Sequence, residues 1–139
     1  MKKSRTDLQL NQKNLEFGFL DVQSVRQTHF DIMKPDKVIF IDKELEDSFN
    51  QLAESDPIKR SIKRAIQFIQ EDFRCGRNVK KELIPKNLIK RYEIHNLWIY
   101  ALSNGWRLLY SITSDKIEII ATILEWLNHK DYNRLFGFN

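Results

Sequence analysis

Hydrophobic positions change period several times along this chain, and each change marks an element. Val38, Ile39, Phe40 and Ile41 form a compact β-branched and aromatic run, the pattern of a buried strand. Asp42 stands where a helix N-cap belongs. Behind it Leu45, Phe49 and Leu52 recur at helical spacing, opposite an acidic side of Glu44, Glu46 and Asp47. Ser55-Asp56-Pro57 predicts a break and a restart, with Asp56 capping and Pro57 in the first helical position. The second helix is expected from about Pro57 to Phe73. Ile58, Ile62, Ala65, Ile66 and Ile69 make its packing stripe, Lys59, Arg60, Lys63 and Arg64 lie outside it, and Gly76 ends the pattern.

Residues 74–96 hold no sustained period, although Leu83-Ile84-Pro85 offers a point at which a loop could tuck apolar groups beneath itself. From Leu97 to Phe136 the period becomes two, and the rest of the chain is organised around this stretch. Asn104-Gly105 lies between two apolar, aromatic-rich runs, a strong hairpin signal. A two-residue turn there pairs Ser103 with Trp106, Leu102 with Arg107, Ala101 with Leu108 and Ile99 with Tyr110. Ser114-Asp115 turns the chain again into a third run, Ile117 to Trp126, and a short helix follows. Alternation puts Leu97, Ile99, Ala101, Trp106, Leu108, Tyr110, Ile112, Ile117 and Ile119 on the core side. Trp98, Tyr100, Leu102, Arg107, Leu109, Ser111, Glu118, Ile120 and Thr122 take the other. The expected fold is α+β: a small antiparallel sheet, made of the N-terminal strand and the C-terminal three-stranded meander, covered by the helical hairpin and closed by the short C-terminal helix.

Residues 1–36 show no clear period; Leu15, Phe17, Phe19 and Leu20 hint at a short ordered piece behind a polar tail. MKPDKVIFID, beginning at Met33, would be a natural opening for a protein whose first strand is Val38 to Ile41. The first 36 residues are therefore expected to be either a partly disordered extension or the result of a start placed too early.

Composition changes this picture in one respect. A chain of 139 residues supports one domain with a real core, and its net charge of +4 is unevenly spread. Residues 37–56 carry two cations against six carboxylates, whereas residues 57–91 carry eleven against three. A basic block of this kind is either a solvated face or the footprint of a phosphate backbone or acidic partner. Cys75 is the only cysteine, which excludes an intrachain disulfide and reads as an inert thiol. No apolar run approaches the length of a bilayer span and the polar start is not a signal peptide, so a cytoplasmic protein is expected.

The candidate chemistry rests on Arg107, His129, Asp131 and Tyr132. Arg107 is the sole cation between Leu97 and Asp115, and it is carried on a strand between aromatic residues, suited to grip a phosphate with a bidentate fork. Metal-free RNA cleavage needs a base for the 2′-hydroxyl, an acid for the 5′-oxygen and cations for the charge on phosphorus. Histidine can serve either proton role; arginine, always charged, belongs on the phosphate. Each residue has a structural alternative. Arg107 could pair with Glu118 on the next strand, and His129 could be a first-turn residue of a helix capped by Asn128. Asp131 suits the N-terminal end of that helix and is assigned a structural role, and Tyr132 could simply pack its ring on the sheet.

The run WRLLYSI (Trp106 to Ile112), the strand Ile117 to Leu127 and the ending HKDYNRLFGF (His129 to Phe138) resemble the toxins of the RelE/ParE superfamily. The resemblance reaches back to about Lys37, so it implies a toxin domain over 37–139. It implies a type II toxin, closest to RelE- and YoeB-like mRNA interferases: a ribosome-dependent endoribonuclease that cleaves mRNA by 2′-hydroxyl transesterification and halts translation. No cofactor or metal is implied, and the implied partners are a cognate antitoxin, the ribosome and mRNA. By resemblance Arg107 contacts phosphate and His129 is the general acid or base. Tyr132 orients or stacks on a base or assists proton transfer, while Lys81, Lys86, Lys90 and Arg91 bind the RNA backbone. Two departures stand out. Where some RelE members keep lysines, this chain has Trp98, Ile99, Tyr100 and Ala101, and the YoeB-type glutamate has only Glu82 or Glu93 as a counterpart. A ParE-like binder that poisons a protein such as DNA gyrase without hydrolysis is the alternative, as is an inactive binding module.

Overall fold

The computed structural model describes residues 33–138. The extension expected before residue 37 lies outside them except for Met33 to Asp36. This four-residue segment is tied to the fold by Asp36, whose carboxylate accepts from Ile119 N at 2.6 Å, and by Met33, whose carbonyl accepts from Phe73 N at 3.0 Å.

Strand β1 (Lys37–Phe40) leads into helix α1 (Lys43–Gln51) and then α2 (Pro57–Glu71). Both helices start as the sequence predicts. Asp42 accepts from Leu45 N at 2.8 Å, and Asp56 accepts from Ile58 N at 2.9 Å with Pro57 just inside. Two expectations for α2 are corrected. The helix stops at Glu71, and Asp72 caps the following turn by accepting from Arg74 N. Lys59, expected outside, is buried: its ammonium donates to Leu52 O at 3.0 Å and to Glu54 Oε2 at 2.7 Å, satisfying a carbonyl at the C-terminus of α1. Its ammonium also lies 5.3 Å from the centre of the Phe49 ring.

The remaining elements are β2 (Arg77–Asn78), α3 (Lys86–Tyr92), β3 (Trp98–Ala101), β4 (Arg107–Ser114), β5 (Ile119–Leu127) and α4 (His129–Phe136). They complete an α+β fold around a five-stranded sheet in the order β1-β5-β4-β3-β2. The sheet is mixed, not antiparallel, because β1 joins β5 in parallel with Val38 opposite Ala121. The helical hairpin supplies the long crossover that a parallel neighbour requires. Strand β2 and helix α3 were not foreseen in the segment 74–96, where two paired residues and a seven-residue helix are too short to set a period.

The hairpin register is also corrected. Ala101 pairs with Arg107, Tyr100 with Leu108, Ile99 with Leu109 and Trp98 with Tyr110. Asn104 and Gly105 do take positive φ, but Ser103 is out of the ladder as well, and its amide donates to Ser61 Oγ on α2 at 3.0 Å. One extra loop residue reverses the faces of β3 relative to β4. Trp98, Tyr100 and Leu102 join Leu108, Tyr110 and Ile123 beneath α1 and α2, with Phe49, Ile62, Ala65 and Ile69. Leu97, Ile99, Leu109 and Leu124 occupy a second core with Leu88 and Tyr92 of α3 and Tyr132 of α4. Both faces of the sheet are covered, so alternation alone could not name a single core side. Ile117 and Ala101, expected in the core, are exposed; Ile117 sits in a turn where Asp115 accepts from its amide at 2.7 Å.

A bulge completes the frame. Leu109 opposes Glu125 but Tyr110 opposes Ile123, which leaves Leu124 unpaired. The inserted residue turns Glu125 onto the second face and lets Trp126 pack edge-on to Phe49 on the first, 6.5 Å between ring centres.

Candidate functional site

Arg107 begins β4, directly opposite Leu127, and Leu127 is two residues before α4. The strand therefore delivers its guanidinium to the start of the last helix. That helix is capped as expected, Asn128 accepting from Asp131 N at 2.8 Å. It turns Tyr132 down onto the second face of the sheet, where the residue is 6% exposed. The guanidinium carbon of Arg107 lies 5.3 Å from the centre of that ring, and its Nη1 donates to Gly105 O at 2.9 Å and Trp106 O at 3.2 Å. Arg107 is half-buried, not sealed under the helices.

Glu118, the strand partner considered for Arg107, lies at the other end of the sheet beside Lys37, 3.6 Å away. The Arg107–Glu118 pairing is thereby overturned. Among the described residues Arg107 has no carboxylate within ion-pair distance.

His129 opens α4 on the same side as Arg107. A side chain added at Gly105 would lie 3.5 Å from His129 Cβ, so the loop whose carbonyl holds Arg107 also borders His129. The imidazole is exposed, and its Nε2 lies 3.1 Å from Asn133 Nδ2. With the amide donating, Nε2 carries the lone pair and Nδ1 the proton in the neutral ring. Asp131 pairs with Arg134 at 3.2 Å, in keeping with a structural role.

Tyr132 departs from one expectation. One side of its ring takes Arg107, and Phe136 and Phe138 pack around it with ring centres 4.9 and 6.3 Å away. Buried in this way, it leaves no surface for a nucleobase to stack on.

The hydroxyl of Tyr132 exposes a residue that sequence reasoning did not assign. Arg77 Nη2 donates to Tyr132 Oη at 2.7 Å. Arg77 pairs with Ile99, Ile99 with Leu109 and Leu109 with Glu125, so Arg77 and Glu125 end one row of side chains across the second face. Glu125 accepts from Tyr92 Oη at 3.1 Å. Burial, and then Glu125 beside it, pushes the Tyr92 phenol up to about 12. Arg77 was one of seven cations in an aperiodic segment, and a two-residue edge strand leaves no pattern that could have singled it out.

Lys81 lies in the turn before α3, and Lys86, Lys90 and Arg91 lie on α3; all four are exposed. Leu88 and Tyr92 seat this helix on the same sheet face as Tyr132. Arg91 lies over the Tyr92 ring at 5.1 Å. None of the four forms a hydrogen bond or ring contact with Arg107 or Tyr132 among the described residues. Glu82 and Glu93 are exposed beside the same helix, Glu93 closing it at a positive φ of 55°.

Among the described residues no group of three or more His, Cys, Asp and Glu side chains is arranged to hold a metal ion, and no helix is long and apolar enough to cross a membrane. No protein-family model matches the chain, and neither a curated protein nor a solved structure matches it significantly.

Proposed function

We propose that this protein is a RelE-like type II toxin, a ribosome-dependent endoribonuclease acting in the cytoplasm and restrained by a cognate antitoxin. The observation that carries the reading is the convergence of Arg107 and His129 on the Gly105 loop, with Arg107 lacking any carboxylate partner among the described residues. A guanidinium committed to an internal ion pair is poorly placed to meet substrate. Arg74, held by Asp72 through Nε at 3.0 Å and Nη2 at 2.9 Å, is such a residue. Arg107 is anchored by neutral carbonyls instead, which orient it without cancelling its charge.

In this reading mRNA lies against the α4 end of the sheet. Arg107 meets the charge that builds on phosphorus as the 2′-hydroxyl attacks. His129, exposed at the start of α4, exchanges protons with the reacting oxygens, and a 2′,3′-cyclic phosphate is the product. Lys81, Lys86, Lys90 and Arg91 contribute sequence-independent attraction for the backbone. The ribosome supplies the positioning that an open site of this size lacks.

The test uses programmed ribosomes with wild type, Arg107→Ala and His129→Ala. Each substitution is expected to slow mRNA cleavage by about a hundredfold or more. A specific feature favours a second reading: β3, with Trp98, Ile99, Tyr100 and Ala101, brings no cation to the site. Growth arrest by wild type with intact mRNA would select a ParE-like poison of a protein target such as DNA gyrase.

A further inference from the structure

Arg77 has no task in the reading above, yet its guanidinium is tied to a side chain of the candidate site. It stands on an exposed two-residue edge strand, and its Nη2 is fixed on Tyr132 Oη at 2.7 Å. The same ring carries Arg107 on its face at 5.3 Å. One buried side chain of α4 thus gathers guanidinium groups from β2 and β4, the two strands that flank β3. Those strands are about 10 Å apart, a gap that two arginine arms can close from either side.

Bringing two like charges to one ring costs Coulomb energy, and an anion between them reverses the sign of that cost. Among the described residues neither Arg77 nor Arg107 has a carboxylate in ion-pair range. Arg107 commits Nη1 to the carbonyls of Gly105 and Trp106, and among the described residues Nε and Nη2 form no hydrogen bond. Arg77 commits Nη2 to a phenol oxygen and keeps the rest of its fork.

We infer that Arg77 and Arg107 form a two-armed clamp on one phosphodiester of single-stranded RNA, with Tyr132 as the positioning residue that sets their spacing. The identity of the ligand rests on the nuclease reading; the clamp itself rests on the geometry of the three side chains. Tyr132 then acts without touching RNA: its hydroxyl aims Arg77 and its ring seats Arg107.

The experiment measures equilibrium binding of a short labelled RNA, 2′-O-methylated so that no cleavage intervenes, to the full chain across a range of salt concentrations. Arg77→Ala and Arg107→Ala are each expected to weaken binding by about tenfold to a hundredfold. Each should also make the salt dependence shallower, and removing both should lower the logarithmic slope by about 0.7, the share of the one phosphate they hold. The double variant should lose less than the product of the two, because both arms hold the same phosphate. Tyr132→Phe keeps the ring, so it should weaken binding only through Arg77 and add nothing in the Arg77→Ala background. Urea midpoints measured alongside confirm that each variant is folded.

Wild-type binding and salt slope in Arg77→Ala, or strictly multiplicative effects of the two arginines, would overturn the clamp, as would a wild-type protein that binds no RNA. The two readings fail separately. Coupled arginines with mRNA left uncut on ribosomes keep the clamp and remove the nuclease; normal cutting and binding by Arg77→Ala keeps the nuclease and removes the clamp.

Discussion

Tyr110→Phe tests how the segment that carries Arg77 is fastened to the sheet. Tyr110 is fully buried, and its hydroxyl donates to Phe73 O at 2.6 Å while accepting from Gly76 N at 3.0 Å. Burial drives its phenol above the ordinary range, which keeps it a hydrogen-bond donor at neutral pH. The ring itself stacks on Trp98 at 6.2 Å, and phenylalanine preserves that contact. The substitution therefore isolates two hydrogen bonds. An unpaired buried backbone group costs about 1–3 kcal/mol. Phe73 and Gly76 are only half-buried, so water recovers part of that, and a loss of about 2–3 kcal/mol is expected in total. Urea denaturation followed by tryptophan fluorescence should show a lower midpoint at constant slope. A loss below about 0.5 kcal/mol would refute the reasoning, because an ordinary hydrogen bond is worth that much.

Gly76→Ala extends the same test. A Cβ there would lie 2.5 Å from Tyr110 Oη and 2.9 Å from Ile99 O. Removing the hydroxyl relieves the first clash, but the second is with backbone and remains. The double variant should therefore be destabilised, yet by less than the sum of the two single changes.

Two further stability predictions follow from buried or coupled groups. Lys59→Met fills the same space but leaves Leu52 O without its donor, so a loss of about 1–2 kcal/mol in urea is expected, and unchanged stability would show that water serves as well. The Tyr92 phenol, raised to about 12, keeps its proton in the folded chain after the unfolded chain has begun to lose it. The folded state then binds more protons, so Tyr92 contributes stability that is complete below its ordinary pKa and is lost as pH climbs towards 12. Tyr92→Phe should flatten part of the alkaline limb of urea midpoints, the buried Tyr110 keeping its own share; an unaltered limb would refute the assignment.

The elements legible in sequence were those whose signals are local. Asp42, Asp56 and Asn128 cap the three helices that the sequence predicts because a cap is a bond between near neighbours. The stripe of α2 was readable because Ile62, Ala65 and Ile69 face one core and nothing else. Arg107 could be singled out as the sole cation in a long apolar stretch, and His129 as the residue that follows a cap.

What sequence alone determined is therefore the α+β order of most elements, the helix boundaries to within a few residues, and Arg107, His129 and Tyr132 as candidates at the α4 end of the sheet. Tertiary structure decided the rest. A loop amide bonded to Ser61 set the β3 register, a bulge at Leu124 turned Glu125 and Trp126 to their faces, and α3 with α4 covered a side that alternation had left open. The meeting of Arg77 with Tyr132 across 55 positions belongs to the same class. Periodicity records only which residues share a face with their own neighbours, whereas register and long-range pairing depend on what packs against that face.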